Sequence, residues 1–246
     1  MSVGFKVVIP ARYASTRLPG KPLLLLHDRP MIEWVYRAAL ASAAEQVIVA
    51  TDDDRIIRVV DGFGGEFCKT RDDHETGTDR IVEVTEIMGW AENTVIVNLQ
   101  GDEPLMPAQN LTQVASNLVN SGYEMATLHK RIDESSAEDP NLVKLVFDQH
   151  GKALYFSRAQ IPFNRDQSEV DYFGHIGLYA YRVGFLKTFA GLQPCMLEHS
   201  EKLEQLRALF YGYRIHTEQA AEIPGPGVDT EEDLRRVSEL LDESLR

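Results

Sequence analysis

Short apolar runs recur along this chain, and helix-like stretches separate them. FKVVIP (5–10), QVIVATD (46–52), TVIVNLQ (94–100) and EMATLH (124–129) read as strands. Three of the four are apolar almost throughout, as strands covered on both faces must be. Between them, MIEWVYRAALASA (31–43) places Ile32, Val35, Tyr36 and Ala39 on one helical face. A second helix is expected from about Asp53 to Phe63, stopping at Gly62 and Gly64. TGTDRIVEVTEIMG (76–89) offers Thr76 or Thr78 as a cap and Gly89 as a stop, and PAQNLTQVASNLVNSG (107–122) closes the same way. Strands alternating with helices of this length mean βαβ units and an α/β fold with a mostly parallel sheet. Ligands of such sheets bind beyond the carboxyl ends of the strands, so the loops after 10, 52 and 99 are the ones to inspect.

The second half is richer in β signals. LVKLVFD (142–148) and ALYFS (153–157) flank the turn HGK as a hairpin. HIGLYAYR (175–182) and YRIHTEQA (213–220) read as further strands, with one helix over 198–212 between them. RDQSEVDYFG (165–174) reads as a long loop. DTEEDLRRVSELLDESL (229–245) reads as a closing helix, capped by Asp229 or Thr230, with acidic residues in its first turn. Residues 124–182 show no obvious helices to cover their strands. An exposed sheet face of that kind is one that a second subunit can cover.

The 246 residues suit one large α/β domain or two small ones. A formal net charge of -13 argues against nucleic acid or an anionic membrane as a general partner. No apolar run approaches the length of a membrane span, and MSVGFKVVIPAR reaches a charge before a signal-peptide core could form. Cys68 and Cys195 stand alone, which makes neither a disulfide framework nor a zinc motif. A cytoplasmic enzyme or binding protein fits these features.

Against that acidic background the first loop, IPARYASTRLPGKPL (9–23), gathers Arg12, Arg17 and Lys21. Cations directly after a buried strand suit a polyphosphate, whose charge must be neutralised before a nucleophile approaches. The glycine spacing is neither a Walker loop nor GxGxxG. NLQGDEPL (98–105) ends the third run in a turn bearing Asp102 and Glu103. A carboxylate there either shapes the turn or holds Mg²⁺ against phosphates. Asp229, in PGPGVDTEED (224–233), either caps the last helix or completes an oxygen-rich metal site with Asp102. TRDDHETGTDR (70–80) packs Arg71, Asp73, His74, Thr76, Gly77, Thr78 and Arg80 before a helix start, where an anion or a base edge could be read. YFSRAQIPFNRD (155–166) places Arg158 and Arg165 among apolar residues. They could clamp a carboxylate or pair with internal acids.

PARYASTRLPGKPL, NLQGDEPL, LYFSRAQIP, HIGLYAYR, LEQLR and GVDTEEDL together resemble the 3-deoxy-manno-octulosonate cytidylyltransferase (CMP-Kdo synthetase) family, in order from residue 5 to about 240. The resemblance implies a single domain over 1–246 of the Rossmann-like nucleotide-diphospho-sugar transferase type. Its nucleotide-binding core would span about 1–123 and 220–246, and a β-rich sugar-acid-binding and dimerisation subregion about 124–219. It also implies a cytoplasmic, Mg²⁺-dependent homodimer joining CTP to the sugar acid Kdo for lipopolysaccharide synthesis. By the same resemblance, Ala11, Arg12, Arg17, Lys21, Arg71, His74, Thr76 and Gly77 meet the nucleotide. Asp102 and Asp229 match the metal aspartates, and Gln100, Arg158, Arg165, His175, Tyr179, Glu204 and Gln205 match sugar-acid contacts. Arg17, Lys21 and Asp102 are the expected catalytic groups. The chain departs from the family pattern at Thr76-Gly77-Thr78, where Ser-Gly-Thr is expected, and at Gly174, where arginine usually precedes the histidine. The loop between Arg165 and His175 is also short for the family.

Overall fold

The computed structural model describes residues 3–14, 18–166 and 168–244. β1 (Lys6–Pro10) leads through a 3-10 turn at Lys21–Leu23 and the small hairpin β2 (Leu25–Leu26) and β3 (Arg29–Pro30) into α1 (Met31–Leu40). β4 (Gln46–Thr51), α2 (Asp54–Gly62), β5 (Phe67–Lys69), α3 (Gly77–Ile87), β6 (Val95–Asn98) and α4 (Ala108–Ser121) continue the alternation. Next come β7 (Met125–Ile132), α5 (Glu134–Glu138), the hairpin β8 (Lys144–Phe147) and β9 (Ala153–Ser157), and the long β10 (Tyr172–Arg182). α6 (Val183–Ala190), α7 (Met196–Glu201), α8 (Gln205–Phe210), β11 (Ile215–Gln219) and α9 (Glu231–Ser244) complete the chain.

The strands form one sheet in the order β11-β7-β10-β6-β1-β4-β5, with β8 and β9 attached beside β10. β1 is parallel to β4 and β6, β4 to β5, and β7 to β11. β10 alone on this path is antiparallel to its neighbours β6 and β7. The sheet is therefore mostly parallel, as the alternation predicts. Its central strands bury residues on both faces. Val7, Ile9, Val49 and Val97 pack beneath α1, α2 and α4, while Val8, Ile48, Ala50 and Ile96 pack against Ile81 and Val84 of α3. Each side chain so enclosed contributes roughly 1.5–3 kcal/mol, which is why these strands tolerate almost no polar residue.

Several expectations need correction. The strand expected over 124–129 runs on to Ile132 as β7, and β10 lies between it and β6. The strands of 124–182 are not left uncovered, since α4 packs on β7 and β10, and α5 and α6 also contact β10. The helix expected over 198–212 is two short helices, broken where Lys202 takes a left-handed φ of 54°. α6, β5 and the β2–β3 hairpin are additional elements. The loop expected over 165–174 gives way to β10 at Tyr172. Of the alternative caps, Thr76 serves α3, accepting from Asp79 N at 3.1 Å, and Thr230 accepts from Asp233 N at 3.2 Å ahead of α9.

Candidate active site

Three chain segments meet beyond the carboxyl ends of β1 and β6. The first is the loop after β1. Gly20 has a φ of 69°, and a Cβ there would stand 3.1 Å from the Tyr13 ring, so glycine supplies both the conformation and the space. It opens the 3-10 turn that begins with Lys21. The second follows β6. A Cβ on Gly101 would stand 2.9 Å from the Pro10 carbonyl oxygen, so glycine allows the two strand-end loops to touch and brings Asp102 beside the first loop. The third is the segment before α9, tied down by Val228 N donating to Asp102 O at 2.9 Å, with Asp229 next in the chain.

Lys21 joins all three. Its Nζ donates to Asp102 Oδ2 at 2.6 Å, Val228 O at 2.9 Å and Asp229 Oδ1 at 3.0 Å. Three partners use the three ammonium protons. Burial works against the charge on Lys21, but Asp102 and Asp229 outweigh it and hold the pKa above the ordinary lysine value. Beside them, burial pushes Glu103 up to about 8, and the charges of Asp102 and Asp229 add to the shift. Glu103 is therefore protonated near neutral pH, and the site carries two carboxylate charges from this trio rather than three.

Asp102 and Asp229 form the boundary between two open clefts. One, of about 320 Å³, is lined by Ala11, Arg12, Lys21, Gln100 and Gly101. The other, of about 440 Å³, is lined by Glu103, Lys130, Asn141, Leu142, His175 and the 224–227 segment. In the first, Arg12 Nη1 donates to Glu75 O at 3.0 Å, while its Nη2 is buried without a hydrogen-bond partner among the described residues. A donor left in that state is suited to an anionic ligand. Arg17 lies outside the described residues. Gln100 is oriented by a relay in which its Nε2 donates to Asn98 Oδ1 at 3.2 Å and Asn98 Nδ2 donates to Tyr181 Oη at 3.2 Å.

The 70–80 loop is built around its own polar pairs. Thr76 caps α3, and Gly77 packs against the Pro10 ring. Thr78 Oγ1 donates to Glu204 Oε2 at 2.6 Å. His74 Nε2 is 2.5 Å from Glu83 Oε2, and Arg71 N donates to the same oxygen at 2.9 Å. Burial opposes ionisation of Glu83, but the His74 and Arg71 bonds outweigh it and lower the pKa. His74 and the Arg71 side chain line a separate depression of about 430 Å³ with Asp73, Glu75 and Asp79. This loop meets the 320 Å³ cleft through the Arg12–Glu75 bond, not through the His74 ring.

On the other side, Arg158 reaches the backbone of its neighbours, with Nε donating to Glu201 O at 2.7 Å and Nη1 to Pro140 O at 3.0 Å. Arg165 is exposed. His175 Nε2 is 3.0 Å from Thr127 Oγ1, its ring meets Phe156 edge-on, and Tyr179 lies 5.3 Å away. Burial drives the His175 pKa down to about 3. It is neutral at physiological pH, so it would meet a ligand as a hydrogen-bonding ring rather than as a charge. Glu204 and Gln205 keep one buried polar atom each, Oε1 and Nε2, without a hydrogen-bond partner. Burial also raises the Glu204 pKa, against the pull of Thr78 and Arg207.

Asp102 and Asp229 converge on a single ammonium, which brings their oxygens close enough to share a cation. An all-oxygen pair suits a hard divalent ion such as Mg²⁺. Among the described residues no cluster of three or more His, Cys, Asp or Glu is arranged for a metal, so such an ion would draw its remaining oxygens from water and phosphate. Lys130, Asn98 and Tyr181 escaped sequence reasoning. Lys130 is hidden in a strand that reads as ordinary, and the relay from Tyr181 to Asn98 exists only once β10 pairs with β6. Arg80 in α3, 1% exposed and 2.7 Å from Asp52, braces the loop after β4. Its signal was an arginine on the apolar side of a helix.

Residues 6–215 match the family model described as Cytidylyltransferase. The chain is 53% identical over 253 aligned residues to the 3-deoxy-manno-octulosonate cytidylyltransferase of Pseudomonas fluorescens, covering 98% of this chain and 100% of that one. It is 51% identical to the protein of the same name from Photobacterium profundum, over 97% of this chain and 100% of that one. A solved structure of CMP:2-keto-3-deoxy-manno-octonic acid synthetase complexed with CTP superposes with a TM-score of 0.92 at 42% identity, over 98% of this chain and 99% of that chain. A cytidylyltransferase from Leptospira borgpetersenii, at 15% identity and a TM-score of 0.63 over 99% of this chain and 88% of that one, shares the fold.

Proposed function

The chain belongs to the 3-deoxy-manno-octulosonate cytidylyltransferases within the cytidylyltransferase family, and from that premise we propose that it joins CTP to Kdo, giving CMP-Kdo and pyrophosphate for lipopolysaccharide synthesis. The observation that carries this reading is the shared wall of the two clefts, Asp102 and Asp229, with Lys21 and Arg12 on the side of the smaller one. CTP takes the 320 Å³ cleft, with Arg12 Nη2 directed at its phosphates, the Lys21 charge beside them and Gln100 held in place by Asn98. Kdo takes the 440 Å³ cleft, bounded by His175, Lys130 and Asn141.

The anomeric hydroxyl oxygen of the sugar acid attacks the α-phosphorus of CTP as its proton passes to water, a P–O bond forms, and the bond to pyrophosphate breaks. Holding both reactants across one wall converts this into an oriented, effectively unimolecular step. Lys21 contributes fixed positive charge beside the phosphates, where charge grows as pyrophosphate leaves. Asp102 and Asp229 would hold Mg²⁺, which when bound neutralises phosphate charge and polarises its oxygens. No covalent intermediate with the protein is required.

The reading carries with it a cytoplasmic homodimer. Among the described residues no helix is long and apolar enough to cross a membrane. Leu154, Phe163, Met196 and Phe210 are 53–85% exposed, all within 124–219, the subregion this reading gives to the dimer contact. Sedimentation should give about twice the chain mass of 27.7 kDa. The test of function is initial pyrophosphate release with CTP, UTP, ATP and GTP against Kdo, its 8-amino form and sialic acid. CTP with Kdo should be fastest. A preference for the 8-amino form would keep the reaction and change the substrate. Comparable rates with sialic acid, or no turnover of any octulosonate, would overturn the assignment.

A further inference from the structure

The turn before β8 forms one wall of the 440 Å³ cleft through Asn141 and Leu142. That turn is held by a lysine with no solvent exposure. Lys144, the first residue of β8, is 0% exposed. Its Nζ donates to Asp139 O at 2.7 Å, Leu142 O at 2.6 Å and Arg158 O at 2.6 Å. All three ammonium protons are thus spent on neutral carbonyls. Burial lowers the pKa of Lys144, Arg158 pushes the same way, and Asp139 and Glu201 offset part of the shift.

Enclosing an ammonium ion costs far more than enclosing a methionine of similar length. The carbonyls must therefore need what a cation supplies. Arg158 grips the same turn from outside, through Nη1 on Pro140 O at 3.0 Å. Its backbone N donates to Glu201 Oε2 at 2.9 Å, and Ser157 Oγ donates to Glu201 Oε1 at 2.6 Å. Two cations thus bracket residues 139–142 and tie them to the end of β9 and to α7.

We propose that Lys144 is a positioning residue for the sugar-acid side of the site: its ammonium ion fixes the 139–142 turn and the Arg158 backbone, and through them the wall against which the sugar acid docks. The inference rests on the assignment of that cleft to Kdo. Lys144 is enclosed and acts through the turn rather than on the substrate.

The test separates the two substrates. In Lys144→Met the three carbonyls lose a charged donor, and the KM for Kdo should rise about tenfold, the scale of a lost charged hydrogen bond. The KM for CTP should stay within about twofold, because uniform loosening would move both. In Lys144→Ala, added ammonium or methylammonium should lower the Kdo KM again. Guanidinium should not, since its planar fork cannot place three donors around one nitrogen. Asp139→Ala is the second variant, should the buried substitutions fail to fold. The exposed Asp139 carboxylate accepts from Asn141 N at 2.8 Å and orders the same turn from the solvent side. Its loss should raise the Kdo KM about threefold. An unchanged Kdo KM in the folded variants, or equal changes for both substrates, would overturn the inference while leaving the proposed reaction standing. No turnover of Kdo by the unsubstituted enzyme would overturn the substrate reading and this inference with it.

Discussion

Lys21 Nζ stands between Asp102 and Asp229, 2.6 Å from one carboxylate and 3.0 Å from the other. The three residues come from three distant parts of the chain, and the two anions would repel each other without the cation between them. The folded pKa of Lys21 lies above 10.5. Its pairing therefore contributes fully below that value and is lost only as pH rises through the higher folded one. Lys21 is a fixed charge at neutral pH and not a proton carrier. Lys21→Met should lower turnover about 100-fold with saturating CTP, the scale of one preorganised charge at a transition state. Circular dichroism should be unchanged. A rate within about threefold of the parent would remove Lys21 from the chemistry.

If the aspartates hold Mg²⁺, each supplies one oxygen of the same ion. Asp102→Asn and Asp229→Asn should each raise the Mg²⁺ concentration for half-maximal rate by at least about tenfold, the scale of losing one charged ligand. A chelator in excess should abolish activity of the parent enzyme. The decisive measurement is a Mg²⁺ titration of initial rate. Full activity in the presence of chelator would show that the carboxylates serve Lys21 alone.

How far the sequence foretold this site depends on what each feature requires. β1, β4 and β6 were legible because strands buried on both faces must be apolar throughout, and Val7–Ile9, Val47–Ala50 and Val95–Val97 are. The insertion of β10 beside β6 was not legible, since pairing between residues 98 and 179 leaves no local signal. The short α7 and α8 were read as one helix because Lys202 looks like an ordinary helical residue until its φ is seen. The residue types at 21, 102 and 229 spoke for phosphate and metal, but only the fold brings them within one hydrogen-bond radius. Asn98 and Tyr181 behave in the same way, being unremarkable apart and an orienting relay for Gln100 once together.

His129 offers a stability test beside the 440 Å³ cleft, paired across strands with His175. It is 4% exposed on β7, its Nδ1 is 2.9 Å from Thr217 Oγ1, and its ring stacks on Phe147 at 4.5 Å. Burial pushes its pKa from 6.5 to about 4. The unfolded chain therefore binds a proton below 6.5 that the folded protein refuses until about 4. The associated stability is present above the unfolded value and is lost as pH falls. At pH 5 the loss amounts to about 2 kcal/mol. His129→Gln keeps a polar partner for Thr217 and has no such proton. Urea unfolding at about pH 7 and about pH 5 should show a difference smaller by about 2 kcal/mol in the variant. His175, with its pKa near 3, acts in the same direction, so some acid sensitivity should persist. An identical difference in parent and variant would mean that His129 titrates normally.

Thr78 links α3 to the start of α8. Its hydroxyl, on a side chain buried in the first turn of α3, donates to Glu204 Oε2 at 2.6 Å. Thr76 and Gly77 precede it in the chain, and Gln205 follows Glu204. Arg207 is 3.8 Å from Glu204 Oε1, too far to replace the hydroxyl as a hydrogen-bond donor. Thr78→Val keeps the shape of the residue and removes only that donor. The carboxylate is then left short of a partner in a site whose burial already opposes its charge. Thr78→Val should therefore cost about 1–2 kcal/mol, at the low end for a charged acceptor because Glu204 keeps some solvent contact. Glu204→Gln in the Thr78→Val background should recover part of the loss, since a neutral amide tolerates the missing donor better than a carboxylate does. The four proteins of this cycle, compared by urea unfolding, should give a coupling energy of about 1 kcal/mol. A coupling near zero would mean that the bond contributes nothing in solution. If it is present, Thr78→Val should also raise the KM for the sugar acid, because the family resemblance makes Glu204, which the hydroxyl braces, a sugar-acid contact.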